Sequence, residues 1–302
     1  TTYPGTTDEL IRPLIERDDL RVGEEIFLAF SPERVDPGNP VYQTKNTPKV
    51  VGGVTPRCGE VAVKFYESFL DEIVPVSTAR AAEMSKILEN TFRCVNIALM
   101  NELLMLSDRM DIDLWEVIDA AKTKPFGFMP FYPGPGLGGH CIPIDPFYLA
   151  WKAREYDFYT QFIEMSGRVN ENMPYYVVDR VREALSDRRL ALSGSRVLVL
   201  GVAYKKDIDD VRESPAIRVI ELLLKAGAEV VYHDPFIESY HSGDTEIPPV
   251  DLTAEELERA DLVLLLTDHS TFDRQLITEH ASLLLDTRNA MRNYPSENLV
   301  RL

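Results

Sequence analysis

Short apolar runs alternate with amphipathic segments in the first part of the chain. Helical patterns at residues 8–17 and 58–70 alternate with apolar, extended runs at 25–30, 49–54 and 72–76. Strands that alternate with helices predict a parallel α/β sheet. Because this piece is short for a free-standing parallel domain and opens with no strand, we expect it to be the second half of a larger domain.

A long helical pattern without Gly or Pro follows at residues 79–110. Its apolar positions recur at spacings of three and four; they are Met84, Ile87, Leu88, Val95, Ala98, Leu99, Leu103 and Leu106. A helix of this length spans roughly 45 Å at 1.5 Å per residue. We expect it to connect domains or to build a dimer interface, and a single core helix is the alternative.

The last third, from about residue 195, alternates more regularly. Continuous apolar runs at 196–201, 229–232, 262–266 and 283–285 are typical of strands buried on both faces. A helix at 214–226 opens with Ser and Pro. This alternation predicts a compact Rossmann-like domain, and the predicted domain ranges are 1–78, 79–194 and 195–302.

Ligands of open parallel sheets bind beyond the carboxyl ends of the strands. In the last domain those ends carry Lys205 and Lys206 after the first strand and Arg288 after the fourth. Their combined positive charge suits a diphosphate. The sequence therefore predicts that an anionic ligand binds at this edge.

The charge balance restricts the partners. The chain of 302 residues has 32 basic and 49 acidic residues, a net charge of −17. Such a surface repels phosphate backbones and anionic lipid, so neither nucleic acid nor a membrane is an expected partner. No apolar run reaches the roughly 18–20 residues of a membrane span, and the N-terminus has no signal-peptide pattern.

Three cysteines, Cys58, Cys94 and Cys141, are widely spaced and form no CxxC pair. The pattern argues against a disulfide framework and against a zinc site, so no metal is expected, and a reducing, cytoplasmic location is predicted. Cys58 and Cys94 lie in amphipathic patterns and are predicted to be packing residues.

Residues 125–148 are dense in Gly and Pro, which predicts an ordered functional loop or a flexible one, and the apolar flanks favour order. The spacing of Gly134, Gly136 and Gly139 matches a dinucleotide fingerprint. That fingerprint requires a strand before it and a helix opening at it. Prolines flank these glycines on both sides, so we reject the match.

Cys141 ends this Gly-rich stretch. A thiolate can attack an aldehyde carbon and hold the product as a thiohemiacetal, which a second oxidation converts to a thioester. Oriented backbone N–H groups of a Gly-rich loop can support both the thiolate and its exposure. The alternative is a small buried hydrophobe, which is how most free cysteines behave.

Other polar residues could assist this chemistry. Lys86 and Asn90 form an i, i+4 pair, so they share one face of the long helix and could stabilise an oxyanion. A solvated polar stripe is the ordinary interpretation of such a pair. Asp145, four residues after Cys141, could orient a water, whereas Glu33 carries no signal by itself.

Several separated motifs resemble the UDP-sugar 6-dehydrogenase family. They are TTYPGTT, SPERVDPGN, EMSKILENTFRCVNIALMNEL, GPGLGGHCIPIDPFYL, GVAYKKDIDDVRESPA, HDP and DTRN, and they cover essentially the whole chain in the family's order. The spellings KTKPFGFMPFYPGPG and SPERVDPGN are most similar to the branch that acts on UDP-N-acetylhexosamines, with UDP-N-acetylglucosamine as the expected substrate.

The resemblance implies a fold and a reaction. It implies a partial N-terminal Rossmann half-domain, a central helical dimerisation region and a C-terminal UDP-sugar-binding domain. The reaction is a four-electron oxidation of the sugar C6 alcohol to a carboxylate with two NAD per turnover, by a homodimer.

The resemblance also implies roles for single residues. Cys141 is the nucleophile, Lys86 and Asn90 stabilise the oxyanion and move protons, and Asp145 and Thr2 order the water. Glu33 serves as the base for thioester hydrolysis. Thr2, Glu33 and Cys141 border the cofactor, and the nucleotide sugar is expected to contact Gly138, Lys206 and Arg288.

Two departures from the family pattern affect these expectations. The glucose branch has a second Glu four residues after the first, where this chain has Pro37 next to Asp36. The family's Gly-rich cofactor-phosphate loop has no counterpart in the sequence. We therefore expect an N-terminally truncated chain that binds NAD weakly and does not turn over alone.

Three alternatives remain open. The first is a non-catalytic module that binds nucleotide sugars and dimerises. The second is a UDP-glucose 6-dehydrogenase. The third is a cysteine hydrolase that uses His140 with Cys141, which is disfavoured because side chains of sequence neighbours usually point apart.

Overall fold

The computed structural model describes residues 2–35, 39, 41–243 and 245–302. Within these residues the α-helices are α1 (Arg12–Ile15), α2 (Pro56–Glu67), α3 (Ala79–Arg109), α4 (Leu114–Ala121), α5 (Asp145–Ala153), α6 (Gln161–Asp187), α7 (Pro215–Lys225), α8 (Ala254–Arg259) and α9 (Arg274–His280). A π-helical segment, Thr6–Ile11, precedes α1, and a 3-10 turn, Arg154–Tyr156, follows α5. The strands are β1 (Ala29–Phe30), β2 (Lys49–Gly53), β3 (Ile73–Val76), β4 (Arg196–Leu200), β5 (Glu229–His233), β6 (Tyr240–Ser242), β7 (Thr245–Ile247), β8 (Leu262–Leu265), β9 (Leu284–Asp286) and β10 (Leu299–Arg301).

The chain divides into two compact units, each built from two stretches of sequence. The first unit comprises Thr1–Cys94 with Cys141–Glu164, and the second comprises Val95–His140 with Met165–Leu302. The predicted domain ranges, 1–78, 79–194 and 195–302, stay a prediction.

The sheet of the first unit has the order β1-β2-β3. β1 pairs antiparallel with β2, and β2 pairs parallel with β3. Helix α2 connects β2 to β3. β2 ends at Gly53, where a Cβ would lie 2.1 Å from the backbone N of Gly59, inside α2. The close approach of helix and strand therefore requires glycine, and the predicted α/β class is confirmed in this unit.

Local sequence signals set the bounds of the first unit's helices. Thr55 caps α2 by accepting a hydrogen bond from the N–H of Cys58 at 3.2 Å, and Pro56 occupies the first helical position. The predicted helix at 8–17 becomes a π-helical segment followed by α1. The predicted helix at 79–110 is confirmed as α3.

Five parallel strands form the sheet of the second unit, in the order β10-β9-β8-β4-β5. Alternate strand residues face two separate apolar clusters, for example Leu264 on one face and Leu265 on the other. Helix α7 packs into the first cluster through Ile220, and α9 packs into the second through Ile277. Helices on both faces of a parallel sheet confirm the predicted Rossmann-like domain.

The strand order creates a topological switch point. The chain leaves β4 for β5 on one side and later returns to β8 on the other side. Connections that diverge from two neighbouring strands leave a crevice at their carboxyl ends, where ligands of such sheets bind. The residues after β4 and β8 therefore line the expected ligand site of this unit. The antiparallel β6–β7 pair is an addition that the apolar pattern did not predict.

Candidate active site

Cys141 lies in a tight turn of the first unit. Its thiol is free and its side chain is half-buried. Its carbonyl oxygen accepts hydrogen bonds from the N–H groups of Ile144 at 3.2 Å and Asp145 at 2.8 Å. The second bond leads directly into α5, so the turn fixes where the helix begins relative to the cysteine.

Asn90 and Asp145 meet in the interior of the first unit. The Nδ2 of Asn90 donates to Oδ2 of Asp145 at 2.6 Å, and the exposed fractions of the two residues are 5% and 2%. The two residues are 55 positions apart in sequence. The structure therefore brings together two predicted catalytic residues, and Asp145 also bonds the backbone of a third, Cys141.

Glu33 is held by its own turn and by lysines. Its Oε1 accepts the N–H groups of Arg34 at 2.8 Å and Val35 at 2.7 Å, and its Oε2 lies 3.7 Å from Nζ of Lys49. Burial alone would raise the pKa of Glu33, but these bonds and the charges of Lys49 and Lys86 outweigh it and lower the pKa. Glu33 is therefore an anion at neutral pH. Pro37 and Asp36 lie outside the described residues.

Thr2 begins a segment that a buried carboxylate anchors. The Oγ1 of Thr2 is buried and has no hydrogen-bond partner among the described residues. Further along, the N–H of Gly5 donates to Oε2 of Glu83 at 2.7 Å, and the N–H and hydroxyl of Thr7 donate to Oε1 at 2.8 and 2.6 Å. Glu83 is fully buried, so it fixes the backbone that carries Thr2.

Sequence reasoning missed Glu83. In the sequence it is one of many glutamates, and it lies three positions before Lys86 on α3. Its partners are 76 to 78 residues away along the chain. The one available signal was the position of an acidic residue on a helix whose neighbouring face is apolar.

The Gly-rich loop of the second unit packs on the switch-point residues. A Cβ at Gly138 would lie 2.9 Å from Cβ of Tyr204 and 3.0 Å from Cδ of Pro215. A Cβ at Gly134 would lie 2.7 Å from Nη1 of Arg288. The contacts with Tyr204 and Pro215 explain why glycine occupies position 138, whereas the contact at Gly134 is with the end of a long side chain. The element before this loop is helix α4 and not a strand, and α5 begins only at Asp145, so the rejected dinucleotide fingerprint is a false match.

Arg288 is fixed beside this loop. Its Nε donates to the carbonyl of Leu266 at 2.8 Å, and its N–H donates to Oδ1 of Asp286 at 2.8 Å. Burial lowers the pKa of Arg288 to about 10, against the opposing charges of Asp268 and Asp286. The side chain therefore stays a cation at neutral pH.

Backbone N–H groups after β4 are already engaged. Val202 and Ala203 donate to Oδ2 of Asp234 at 2.7 and 3.0 Å. These two N–H groups are therefore not available to an anion at this edge. Lys206, in the loop that follows, is exposed and is, like Arg288, a side-chain cation of the same unit.

His140 is bonded to the loop that follows β4. Its Nε2 lies 3.0 Å from Oδ2 of Asp210, and its ring meets Tyr204 edge-on at 5.9 Å. Arg212 also donates to both oxygens of Asp210, at 3.0 and 2.9 Å. The bond to Asp210 occupies one ring nitrogen of His140 and holds the ring at the loop after β4. The cysteine-hydrolase alternative stays a prediction.

The remaining predictions concern packing, membranes and metals. Cys58 and Cys94 have exposed fractions of 0% and 1%, which confirms them as packing residues. No helix within the described ranges combines the length and the apolar character needed to cross a membrane. In the same residues no three His, Cys, Asp or Glu side chains group as metal ligands.

Three family models match successive parts of the chain. The description of each reads UDP-glucose/GDP-mannose dehydrogenase family: the NAD binding domain matches residues 1–70, the central domain residues 80–172 and the UDP binding domain residues 198–293. The match to the NAD binding domain agrees with the predicted cofactor at the level of the family.

Individual proteins agree with these matches. UDP-N-acetyl-D-mannosamine dehydrogenase of Methanocaldococcus jannaschii is 33% identical over 96% of this chain and 65% of its own length. UDP-N-acetyl-D-glucosamine 6-dehydrogenase of Pseudomonas aeruginosa is 37% identical over 79% of this chain and 57% of its own length. The structure of a UDP-D-ManNAc dehydrogenase from Pyrococcus horikoshii is 32% identical and has a TM-score of 0.87, and the match covers 100% of this chain and 70% of that one.

The chain spans 65% of the length of the first of these sequence relatives and 57% of the length of the second. The matched ranges follow the same order as the predicted parts of the chain. The chain belongs to the UDP-glucose/GDP-mannose dehydrogenase family.

Proposed function

We propose that the protein oxidises the C6 alcohol of a UDP-N-acetylhexosamine to a carboxylate, with NAD as the oxidant. The observation that carries the proposal is the assembly of Asn90, Asp145 and Cys141 by hydrogen bonds within one unit. The names of the relatives support the nucleotide-sugar class. Among N-acetylhexosamines, UDP-N-acetylglucosamine is the substrate that the sequence spellings favour.

The chemistry divides into two oxidations and a hydrolysis. NAD, when bound, accepts one hydride in each oxidation. Lys86 takes the proton of the C6 hydroxyl in the first, and the Cys141 thiolate then bonds to the resulting aldehyde carbon. Attack by the thiolate places a negative charge on the aldehyde oxygen, which Lys86 and Asn90 stabilise, and departure of the second hydride then gives a thioester. Water cleaves the C–S bond, which frees the carboxylate product and Cys141.

The water step rests on carboxylates in the first unit. Asp145 and Thr2 orient the water, and the unpaired Thr2 hydroxyl has hydrogen-bonding capacity to spare for it or for the cofactor. Glu33 accepts the proton. Because its pKa is lowered, Glu33 is present as the carboxylate that a base requires, and its basicity is modest.

Nucleotide binding is assigned to the second unit. Arg288 and Lys206 would neutralise the diphosphate, since nearby backbone N–H groups are engaged by Asp234. The backbone of Gly138 would contact the substrate, as the resemblance implies.

The complete protein provides the catalytic test. We expect NAD reduction with a UDP-N-acetylhexosamine, at two NAD per sugar, and a loss of at least ~10³-fold in turnover for Cys141→Ser with the sugar-nucleotide Kd unchanged. Cys58→Ser is the control for removing a thiol. Equal turnover in Cys141→Ser would contradict the proposal.

Titrations of the melting temperature with different UDP-sugars test which one binds. A ligand that binds the native state at 100 times its Kd adds about 2.7 kcal/mol to the free energy of unfolding. We expect this shift with one of UDP-N-acetylglucosamine, UDP-N-acetylmannosamine, UDP-N-acetylgalactosamine or UDP-glucose. A shift with UDP-glucose alone would replace the substrate, and binding without turnover in the complete protein would indicate a non-catalytic module.

A homodimer that uses α3 belongs to the same proposal. Its first half exposes apolar side chains at four-residue spacing, with exposed fractions of 38% for Met84, 60% for Leu88 and 46% for Phe92. Such a stripe is suited to a partner helix. Light scattering should give a dimer mass that Leu88→Glu reduces. A cytoplasmic location stays a prediction from the sequence.

A further inference from the structure

Hydrogen bonds join three loops of the second unit at the carboxyl ends of its strands. They follow β4, β5 and β8, and they contribute Asp207, Asp234 and His269. Asp234 and His269 have exposed fractions of 8% and 0%. The proposed function uses none of these three side chains.

His269 links the other two residues. Its Nε2 lies 3.0 Å from Oδ2 of Asp234, and its Nδ1 accepts the backbone N–H of Asp207 at 3.0 Å. An accepting Nδ1 assigns the ring proton to Nε2, which then donates to Asp234. Asp234 also accepts from the N–H of Phe236 at 2.9 Å, so the carboxylate that holds His269 is itself fixed.

Asp207 has a backbone conformation that needs such support. Its φ of 61° lies in the left-handed region, which glycine adopts readily and L side chains adopt at a cost. Its carboxylate accepts the N–H of Ser270 at 2.7 Å and the Ser270 hydroxyl at 2.6 Å. With the bond to His269, three hydrogen bonds hold this one residue in place.

The held residue adjoins Lys206. The dihedral angles of Asp207 set the direction in which the loop runs on from Lys206, and therefore where the exposed Lys206 ammonium can reach. Asp234 already occupies the N–H groups of Val202 and Ala203, so these two groups are not available to an anion at this edge.

We propose that Asp207 is a positioning residue, which holds the turn that places Lys206 at the nucleotide diphosphate, with His269 and Asp234 as its buried support. The inference rests on the proposed role of Lys206 in binding the nucleotide. Through its charge alone Asp207 would repel a diphosphate, so the proposal predicts that removal of this carboxylate weakens binding of an anion.

Calorimetric titration of the full chain with UDP tests the proposal. Asp207→Ala should weaken the UDP Kd about tenfold, equivalent to about 1.4 kcal/mol, and Asp207→Gly should weaken it less because glycine keeps the turn without strain. Asp209→Ala is the matched control, since it removes the same charge from an exposed position two residues further on and should leave the Kd equal or tighter. Unchanged melting temperatures identify the variants that remain folded.

A double-mutant cycle with Lys206→Met separates positioning from general damage. If Asp207 acts through Lys206, Asp207→Ala/Lys206→Met should bind UDP no more weakly than Lys206→Met alone. Losses that multiply in the double variant, or an Asp207→Ala variant that behaves like Asp209→Ala, would overturn the inference. If Lys206→Met itself binds UDP normally, the proposed role of Lys206 fails and the inference fails with it.

Discussion

Each unit is stabilised internally by a different arrangement of apolar and polar contacts. The sheet of the second unit consists of apolar strands whose core residues, such as Leu198 and Leu264, are fully buried. In the first unit, buried polar side chains also connect residues far apart along the chain, such as Glu83 to Thr7 and Asn90 to Asp145. In the second unit, long-range polar contacts lie in the loops that follow the strands, as between His269 and Asp234. The comparison teaches that the residues proposed for chemistry in the first unit lie where hydrogen bonds between distant residues set the positions of side chains.

The largest expected effect tests the apolar side of this comparison. Leu264→Ala removes a fully buried side chain from the central strand β8 and should lower the free energy of unfolding by about 2–5 kcal/mol, because a cavity replaces packed atoms. Chemical denaturation measures the loss. Leu190→Ala, at a position whose exposed fraction is 42%, should cost far less, and equal losses would show that the core is not where the structure places it.

The next effect tests the polar side. Glu83→Ala leaves the N–H groups of Gly5 and Thr7 and the Thr7 hydroxyl without their acceptor, and should cost about 3 kcal/mol of unfolding free energy. Glu89→Ala is the matched control on the same helix, since its half-exposed pair with Arg34 at 2.8 Å contributes about 1 kcal/mol or less. A Glu83→Ala protein as stable as the control would refute the anchoring role.

A smaller effect is expected from the contact that joins the predicted catalytic residues. Asn90→Ala removes the 2.6 Å bond to Asp145 and should cost about 2 kcal/mol, since a hydrogen bond to a buried carboxylate is lost. A cycle with Asp145→Asn measures the coupling by denaturation. Additive losses in the double variant would mean that the two side chains do not interact in solution.

The smallest expected effect is the change with pH in the contribution of Asp234 to the free energy of unfolding. Burial alone would raise the pKa of Asp234, but hydrogen bonds from His269, Ala203 and Phe236 outweigh it and lower the pKa. A folded pKa below the unfolded value of about 3.9 gives stability that is present above that value and lost as the pH falls through the folded pKa.

The stability gap between the native protein and Asp234→Asn should therefore narrow in acid. Denaturation curves at a series of pH values measure it. Leu264→Ala changes no titrating group, so its gap to the native protein should stay constant over the same range. A gap for Asp234→Asn that is equally constant would contradict the lowered pKa.

The extent of correct sequence prediction follows the same division. The apolar runs predicted at 196–201 and 262–266 appear as β4 and β8, because a strand buried on both faces shows its burial in local composition. The helix predicted at 79–110 is α3 for a similar reason. The apolar run at 25–30 gives only the two-residue strand β1, since a short run specifies its type poorly.

Polar contacts left no such local signal. Spacing and the motif resemblance supplied Asn90 and Asp145. The position of Glu83 beside an apolar helix face was its one signal, and nothing in the pattern indicated that His269 joins Asp207 to Asp234. Each of these contacts joins residues more than 30 positions apart, with intervals of 78, 62 and 35. The helices α4, α5, α8 and α9, each nine residues or shorter, were also not predicted. The 27-residue α6 lies in the region predicted to be helical, but the helix itself was not predicted.

The interleaved order of the two units has a consequence during synthesis. The first unit ends one stretch at Cys94 and is completed only by Cys141–Glu164. At ~5–20 residues per second, the 70 residues from 94 to 164 take the ribosome roughly 4–14 s. For most of that interval Asn90 lacks Asp145, and Glu9, which also pairs with Arg80, lacks Lys152 at 2.6 Å. The nascent chain therefore carries the buried amide of Asn90 without its carboxylate partner for seconds until α5 begins.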